Sequence, residues 1–208
     1  MTAVWEPAFA GDTAAALERG SGRSHPLPVR RWRASDNEDT ELVSTIAGWC
    51  RGPTVDLGCG PGRVVESLLR HGVPALGVDS APSAVALTRA RGGAAILRDV
   101  FAPLPGEGRW SYALLLDGNI GIGGDPHRLI ERAARLVARH GSLLVEVDTR
   151  IRGIDRHSAR LHTESSVSEW FPWCQVGPDA VDGLAWAAHR RVRRTVTVGG
   201  RRCVELAP

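Results

Sequence analysis

The sequence predicts a single α/β domain built on a mostly parallel β-sheet that closes with an antiparallel hairpin. Short apolar runs alternate with segments of helical periodicity between residues 54 and 147. A glycine-rich turn joins the first apolar run to the first of these helical segments. Near the C-terminus, Gly199 and Gly200 separate two strand-like runs, which is typical of a two-residue hairpin.

Size and composition exclude several classes of protein. The chain has 208 residues, of which 43% are hydrophobic and 24% are charged, so it can bury a core without disulfides or metals. No run approaches the roughly 18 apolar residues of a membrane span. Glu6 and Asp12 lie where a secretory signal would be apolar. We therefore expect a cytoplasmic protein without membrane association.

Each element of the predicted sheet has its own signal. Strands are expected at Thr54–Leu57, Ala75–Asp79, Ala94–Arg98, Tyr112–Leu116 and Ser142–Val147. Asp36 is expected to cap a helix that runs toward Cys50, Gly72 to end the next helix, Pro82 to begin another, and Asp125 to cap one that ends at Gly141. Asp179–Ala188 has a helical pattern, and the hairpin strands are expected at Val192–Val198 and Arg202–Leu206.

The remaining segments are less regular. Residues 1–50 are interpreted as a helical cap, and the polar stretch after Asp148 as an irregular segment. That stretch ends in Trp170, Phe171 and Trp173, which either form an apolar wall for a ligand or belong to the core. The four cysteines lack zinc-ligand spacing and are expected to be buried, reduced thiols.

The glycine-rich turn, VDLGCGPGR at residues 55–63, is the strongest chemical signal. Its glycines allow a ligand to approach the backbone at the start of a helix. Dinucleotides and S-adenosylmethionine both bind at such turns. Asp56 would repel a pyrophosphate but attract an ammonium group. Arg63 also stands where the dinucleotide pattern needs a small residue, so we expect S-adenosylmethionine.

Two more acids follow neighbouring strands of the predicted sheet. Asp79 ends the second strand, where its carboxylate is placed to accept hydrogen bonds from ribose hydroxyls. Asp99 follows the third strand, with Val100 and Phe101 beside it, and is a candidate acceptor for an adenine amino group. For both, a turn or cap role is the alternative.

The strings VDLGCGPGR, GVDS, RDVF and LLLDGN resemble class I S-adenosylmethionine-dependent methyltransferases over about residues 54–149. PLPVRRW, DGNIGIGGDP and WFPW are similar to a small actinobacterial-type group of these enzymes. The resemblance implies a Rossmann-like, three-layer α/β/α fold with seven strands. It divides the chain into the cap at 1–50, a cofactor-binding core at 51–149 and a substrate-side segment at 150–208.

The resemblance also assigns roles to individual residues. The methionine end of the cofactor falls to Asp56, Gly58, Gly60 and Gly62; the ribose to Asp79, followed by Ser80; the adenine to Asp99 and Val100; and the surroundings of the methyl group to Leu116, Asp117 and Asn119. Arg30, Arg31 and Trp32 are either surface residues or a cover over the cofactor carboxylate.

Candidates for acceptor chemistry come from the carboxyl ends of the later strands. Asn119 and Asp148 follow the fourth and fifth strands, and His157 and His162 are proton acceptors in the segment beyond them. The catalytic candidates are thus Asp148, His157 and Asn119. A solvated histidine and a turn-capping aspartate are the alternatives.

The absence of known acceptor patterns narrows the substrate class. Residues 117–120 read DGNI, so the Pro-Pro-aromatic sequence of nucleic-acid amino methylation and a Pro-Cys nucleophile are both missing. No metal site is indicated. We expect a small-molecule acceptor from secondary metabolism and no nucleic-acid partner. The alternatives are an RNA-binding methyltransferase-like protein that uses Arg193 and Arg194, and a non-methylating S-adenosylmethionine enzyme. The sequence does not indicate the oligomeric state.

Overall fold

A computed structural model describes residues 4–11, 14–33 and 40–208. Within these residues, eleven strands occur: β1 Ala15–Arg19, β2 Ser24–Leu27, β3 Thr54–Leu57, β4 Ala75–Asp79, β5 Ala94–Leu97, β6 Trp110–Leu115, β7 Val137–Val147, β8 Ile154–Thr163, β9 Phe171–Val176, β10 Arg191–Val198 and β11 Arg201–Ala207. The α-helices are α1 Glu6–Ala10, α2 Val29–Arg33, α3 Thr40–Trp49, α4 Arg63–Arg70, α5 Pro82–Ala90, α6 Pro126–Leu136 and α7 Val181–Ala187. Short 3₁₀ helices span Asn119–Gly124 and Pro178–Ala180.

The main sheet has seven strands in the order β10-β11-β7-β6-β3-β4-β5. Strands β3 to β7 pair in parallel, whereas β11 pairs antiparallel with both β7 and β10. Helices α3 and α4 pack on one face of this sheet and α6 and α7 on the other, each face with its own buried apolar cluster. The predicted three-layer fold and its antiparallel hairpin are confirmed.

The local signals in the sequence explain most element boundaries. Strands β3 and β4 have the predicted limits, because each is a short and mostly buried run that ends at a change of composition. Asp125 caps α6 by accepting from the backbone N–H groups of His127 and Arg128. The predicted cap Asp36 lies outside the described residues.

The predicted extension of α6 to Gly141 is wrong. The helix ends at Leu136, and Val137 already has extended backbone angles as the first residue of β7. The irregular register between β6 and β7, around Trp110 and Tyr112, accommodates the residues between Val137 and Ser142. The pairing of Val137 with Trp110 of β6 outweighed the helical periodicity here.

A second sheet, in the order β2-β1-β8-β9, was not predicted. Residues 15–27 form two strands where an entirely helical cap was expected, and β8 and β9 occupy the stretch that was expected to be irregular. All its pairings are antiparallel. Its core contacts include Leu161 and Phe171, which pack with Trp5 and Trp32 of the N-terminal segment. This sheet therefore ties the first residues of the chain to its C-terminal third.

Candidate functional site

The glycine-rich turn lies between β3 and α4, and its backbone is already hydrogen-bonded. The N–H groups of Gly58 and Cys59 donate to the Val78 carbonyl at 2.8 and 3.1 Å. The Gly60 N–H donates to Asp79 Oδ2 at 2.9 Å, and the Gly62 N–H to the Cys59 carbonyl at 3.1 Å. Four N–H groups of the turn are thus committed inside the protein, which disfavours a pyrophosphate that would need them.

The three glycines of the turn adopt positive φ angles of 78°, 52° and 84°, at Gly58, Gly60 and Gly62. A Cβ atom at Gly62 would lie 2.8 Å from the Thr88 Cα atom, so this glycine is needed for the packing of α4 against α5. At Gly60 the nearest atom would be in the Phe9 ring at 3.6 Å. The turn is therefore rigid at its base and covered by an aromatic ring at its middle glycine.

Asp79 lies directly against this turn. Its carboxylate is buried, and it accepts from the N–H groups of Gly60 and Ala81, both at 2.9 Å. Burial raises the pKa of Asp79, while these backbone hydrogen bonds oppose the rise. Each oxygen keeps a second lone pair for a ligand hydroxyl. Ser80 follows it at a half-buried position.

Asp56 is 2% exposed, and its environment differs from the one that the sequence suggested. Burial, together with the charge of Asp117, raises the pKa of Asp56 to about 7. The nearby Arg63 guanidinium opposes this rise. The carboxyl group is therefore partly protonated at neutral pH, and a bound ammonium group would favour its charged form.

Asp117 is the centre of an arginine cluster, which we define as Arg31, Arg63 and Arg201 together with Asp117 and Glu146. Arg63 and Arg201 donate to Asp117 at 2.8 and 2.7 Å, and Arg31 approaches it at 3.5 Å. Glu146 accepts from Arg201 and from the Asp117 N–H group. Burial opposes ionisation of Asp117, but the three guanidinium groups hold its pKa below the usual range. Except for Asp117, and for Arg31 as a possible cover, the sequence reasoning assigned none of these residues to the site.

Asn119 connects the segment after β6 to the glycine-rich turn. Its amide nitrogen donates to the carbonyl groups of Leu57 and Gly58 at 3.0 and 2.8 Å. The side chain therefore lies at the predicted methyl-transfer end of the turn, with its nitrogen in a structural role. Leu116, in contrast, is buried in the core beside α3 and α4.

The other two catalytic candidates lie in a polar network beside the second sheet. Asp148 bonds with Arg150 and with the Gln175 amide, the latter at 2.8 Å, and these contacts favour its charged form and lower its pKa. His157 Nδ1 lies 3.6 Å from the Asp155 carboxylate, which Arg19 also contacts. Burial lowers the pKa of His157. Arg19 contacts Gln175 as well, so this network joins Asp148 to His157 but not to Asn119.

The two adenine candidates, Asp99 and Val100, lie in the turn after β5. Asp99 Oδ1 accepts from the Phe101 N–H group at 2.9 Å, and Val100 is buried in the core. The Asp99 carboxylate thus stabilises a turn, which was the alternative to its adenine role. Only one of its two oxygens takes part in this bond. His162 contacts Glu18 on the second sheet.

An aromatic cluster lies above the glycine-rich turn. The rings of Trp5, Trp32, Phe171 and Trp173 stack edge to face or tilted, with centroid distances from 5.5 to 6.3 Å among the touching pairs, and Phe9 joins them through Trp32. Trp170 is excluded and packs under Arg160 at the surface. A Cβ atom at Gly121 would clash with the Cys174 carbonyl and the Trp173 ring, so this glycine permits β9 to approach the segment after β6.

The C-terminal arginines have an internal partner. Arg193 and Arg194 both contact Glu205, at 3.3 and 2.6 Å, and the Glu205 side chain is fully buried. This pairing explains their position without a phosphate ligand. The four cysteines are free and buried, as predicted. Among the described residues, no helix is long and apolar enough to cross a membrane.

No protein-family model and no curated protein sequence matches the chain. Solved structures do. A SAM-dependent methyltransferase from Bacteroides fragilis, in complex with S-adenosyl-L-homocysteine, matches with a TM-score of 0.81 at 15% identity, covering 100% of this chain and 96% of that chain.

Two further structures match the larger part of the chain. The 1,6-didemethyltoxoflavin-N1-methyltransferase of Burkholderia thailandensis has a TM-score of 0.60 at 16% identity and covers 86% of this chain and 80% of that one. A sugar N-methyltransferase from Streptoalloteichus has a TM-score of 0.60 at 19% identity, with coverage of 86% and 90%. The chain therefore has the Rossmann-like fold of class I S-adenosylmethionine-dependent methyltransferases.

Proposed function

We propose that the protein is an S-adenosylmethionine-dependent methyltransferase that acts on a small molecule. The observation that carries this proposal is the glycine-rich turn, in which the N–H groups of Gly58, Cys59, Gly60 and Gly62 are bonded inside the protein while Asp56 and Asp79 lie buried beside it. Such a site offers acceptors to a cationic nucleoside and few donors to a diphosphate.

The residues present fit the cofactor. Asp79 keeps lone pairs for ribose hydroxyls next to Gly60, and Asp56 has a raised pKa that an ammonium group would lower. The Trp32 indole N–H is buried and has no acceptor among the described residues. Trp32 packs against Phe9, the ring nearest Gly60, so a ligand at the turn could supply that acceptor.

When bound, S-adenosylmethionine supplies an electrophilic methyl group on a sulfonium centre. The role of the chain is to hold the acceptor in line with that group and to exclude water. Asn119 fixes the segment after β6 to the turn, and the aromatic cluster closes the space above it with apolar rings. The His157–Asp155 pair and Asp148 are the proposed proton acceptors for acceptors that must lose a proton.

A small-molecule acceptor is supported by two of the structural neighbours, whose names include 1,6-didemethyltoxoflavin and a sugar. The RNA-binding alternative loses support because its two arginines are paired with Glu205. A cytoplasmic location, the narrower actinobacterial-type group and the division of the chain at residues 50 and 149 stay predictions.

The test is ligand binding to the full chain. Calorimetry should detect heat with S-adenosylhomocysteine and none with NAD at the same concentration. Binding of NAD in place of S-adenosylhomocysteine, or of neither, would contradict the proposal. Mass spectrometry of reactions with labelled cofactor and candidate metabolites then identifies a methylated product, and its absence in favour of a modified cofactor would favour the non-methylating alternative.

A further inference from the structure

The arginine cluster holds several charged side chains in a nearly buried place. Arg31, Arg63 and Arg201 all contact Asp117, and Glu146 is the second carboxylate. The side chains of Arg63, Arg201 and Glu146 are no more than 12% exposed. The cluster therefore holds charged groups in a place where each of them needs a partner.

Arg63 carries the clearest sign of a missing partner. Its side chain is 7% exposed, and only its Nη2 atom is bonded to Asp117. The Nη1 atom is buried, and no acceptor lies within hydrogen-bonding distance of it among the described residues. Because burying a charged donor without an acceptor is costly, this atom marks a place where an anionic ligand group would be bound.

The position of the cluster relates it to the acceptor half of the sheet. Asp117 follows β6, Glu146 lies in β7 and Arg201 begins β11. These strands lie on the opposite side of β3 from β4 and β5, where Asp79 and Asp99 are found. Ligands of open α/β sheets bind beyond the carboxyl ends of the strands, so the cluster lies where a second substrate would meet the cofactor.

We propose that the arginine cluster, through Arg63 Nη1, is a binding subsite for a carboxylate group. This inference rests on the proposed function for its role in methyl transfer. A carboxylate accepts a charge-assisted hydrogen bond from a guanidinium group as a monoanion, whereas Asp117 and Glu146 would repel a dianionic phosphate. Two molecules can bring such a group: the methyl acceptor, which the position of the cluster favours, and the methionine end of the cofactor.

The experiment compares charged and neutral probes on the full chain by calorimetry, with and without saturating S-adenosylhomocysteine. Benzoate is paired with benzamide, and S-adenosylhomocysteine with its α-carboxamide, which keeps the ammonium group and lacks only the carboxylate charge. The variant is Arg63→Gln, whose amide can still donate to Asp117. The control is Arg132→Gln, because Arg132 is also buried and pairs with Glu107 at 2.6 Å away from the cluster.

If the acceptor supplies the carboxylate, wild type and Arg132→Gln prefer benzoate by at least about tenfold and Arg63→Gln loses that preference. If the cofactor supplies it, Arg63→Gln instead weakens the binding of S-adenosylhomocysteine by about tenfold and leaves that of its α-carboxamide unchanged. The proposal is overturned if neither preference depends on Arg63, or if Arg132→Gln has the same effect. Benzoate binding measured without cofactor stays informative even if the chain binds no S-adenosylhomocysteine.

Discussion

Arg63 donates a 2.8 Å hydrogen bond to Asp117, which joins the first residue of α4 to the end of β6. The same arginine that breaks the dinucleotide pattern in the sequence therefore holds together the two loops that flank the candidate cofactor site. Asp117 adopts a left-handed φ of 53°, a conformation that aspartate tolerates better than most residues. Its three arginine contacts and its N–H bond to Glu146 fix this conformation.

Cofactor binding is expected to depend on pH through Asp56. Because its pKa is about 7 in the free protein, the carboxyl group must lose its proton before it attracts a cationic ligand. Affinity for S-adenosylhomocysteine should rise between pH 6 and 8, by about tenfold per pH unit at most, and level off above. Calorimetry in buffers of different ionisation enthalpy should detect proton release near pH 7. The charged groups that act on Asp56 are Asp117, Arg63 and Asp79, and a flat profile would contradict its assignment to the ammonium group.

Asp56→Asn is expected to stabilise the free protein while weakening its binding of the ligand. A carboxylate whose pKa is raised on folding loses stability as pH rises from its unfolded value, near 4, through its folded value. The amide avoids this cost, so the melting temperature of Asp56→Asn should exceed that of the wild type at pH 8 and approach it near pH 4. Affinity for S-adenosylhomocysteine should fall by about tenfold or more. Equal melting temperatures at pH 8 would show that the carboxylate is better solvated than its burial indicates.

Asp79→Asn tests the ribose contact with a side chain of the same shape. The single oxygen of asparagine can accept fewer hydrogen bonds than the two oxygens of the carboxylate. The asparagine NH₂ group faces the N–H group of Gly60 or Ala81. We expect S-adenosylhomocysteine and 5′-methylthioadenosine to lose affinity equally, by more than about tenfold, because both contain the ribose. Loss confined to S-adenosylhomocysteine would place Asp79 at the methionine end instead. Asp99→Asn, in the neighbouring turn, is the matched comparison.

Replacing glycines by alanine should separate backbone strain from packing. Gly72 has a φ of 72° with open space around it, so Gly72→Ala costs about 1 kcal/mol for the left-handed backbone alone. Gly62→Ala adds a clash with the Thr88 backbone and should cost clearly more. Gly60→Ala has room for its methyl group beside Phe9, so its stability should resemble that of Gly72→Ala while ligand affinity falls. Chemical denaturation and calorimetry measure the two effects on each variant.

The Glu205 pair of arginines is expected to stabilise the fold. Replacing Arg193 and Arg194 together by alanine leaves the fully buried Glu205 without its two cations, at a cost of about 3 kcal/mol. Arg202→Ala, which removes only an exposed bond to Thr197, should stay within about 0.5 kcal/mol of the wild type. Urea denaturation measures both. If the double variant kept full stability but lost affinity for RNA, the RNA-binding alternative would regain support.

The sequence predicted what short-range patterns encode. Short, mostly buried runs predicted β3 and β4, and the cap residue Asp125 and the first-turn proline Pro82 predicted the starts of α6 and α5. The second sheet was missed because its strands carry charged residues, although Ala159 and Leu161 alternate with Arg160 and His162 in the period of a half-buried strand. That alternation was the available signal.

The arginine cluster was out of reach for a different reason. Glu146 was visible as a charge inside the apolar run of β7, which a strand covered on both faces should exclude. Its partner Arg201 was not, because the two meet only through the pairing of β11 with β7. Contacts of this kind depend on strand order, which no local pattern fixes.

Strand β1 completes the second sheet only by pairing with β8, which follows it after most of the chain. During synthesis on the ribosome, the parallel βαβ units can fold as they emerge, but β1 and its aromatic neighbours must wait for the C-terminal third. The aromatic cluster above the glycine-rich turn is therefore assembled last. Variants that slow this final closure should give a core that is native-like while the N-terminal segment is still open to proteases.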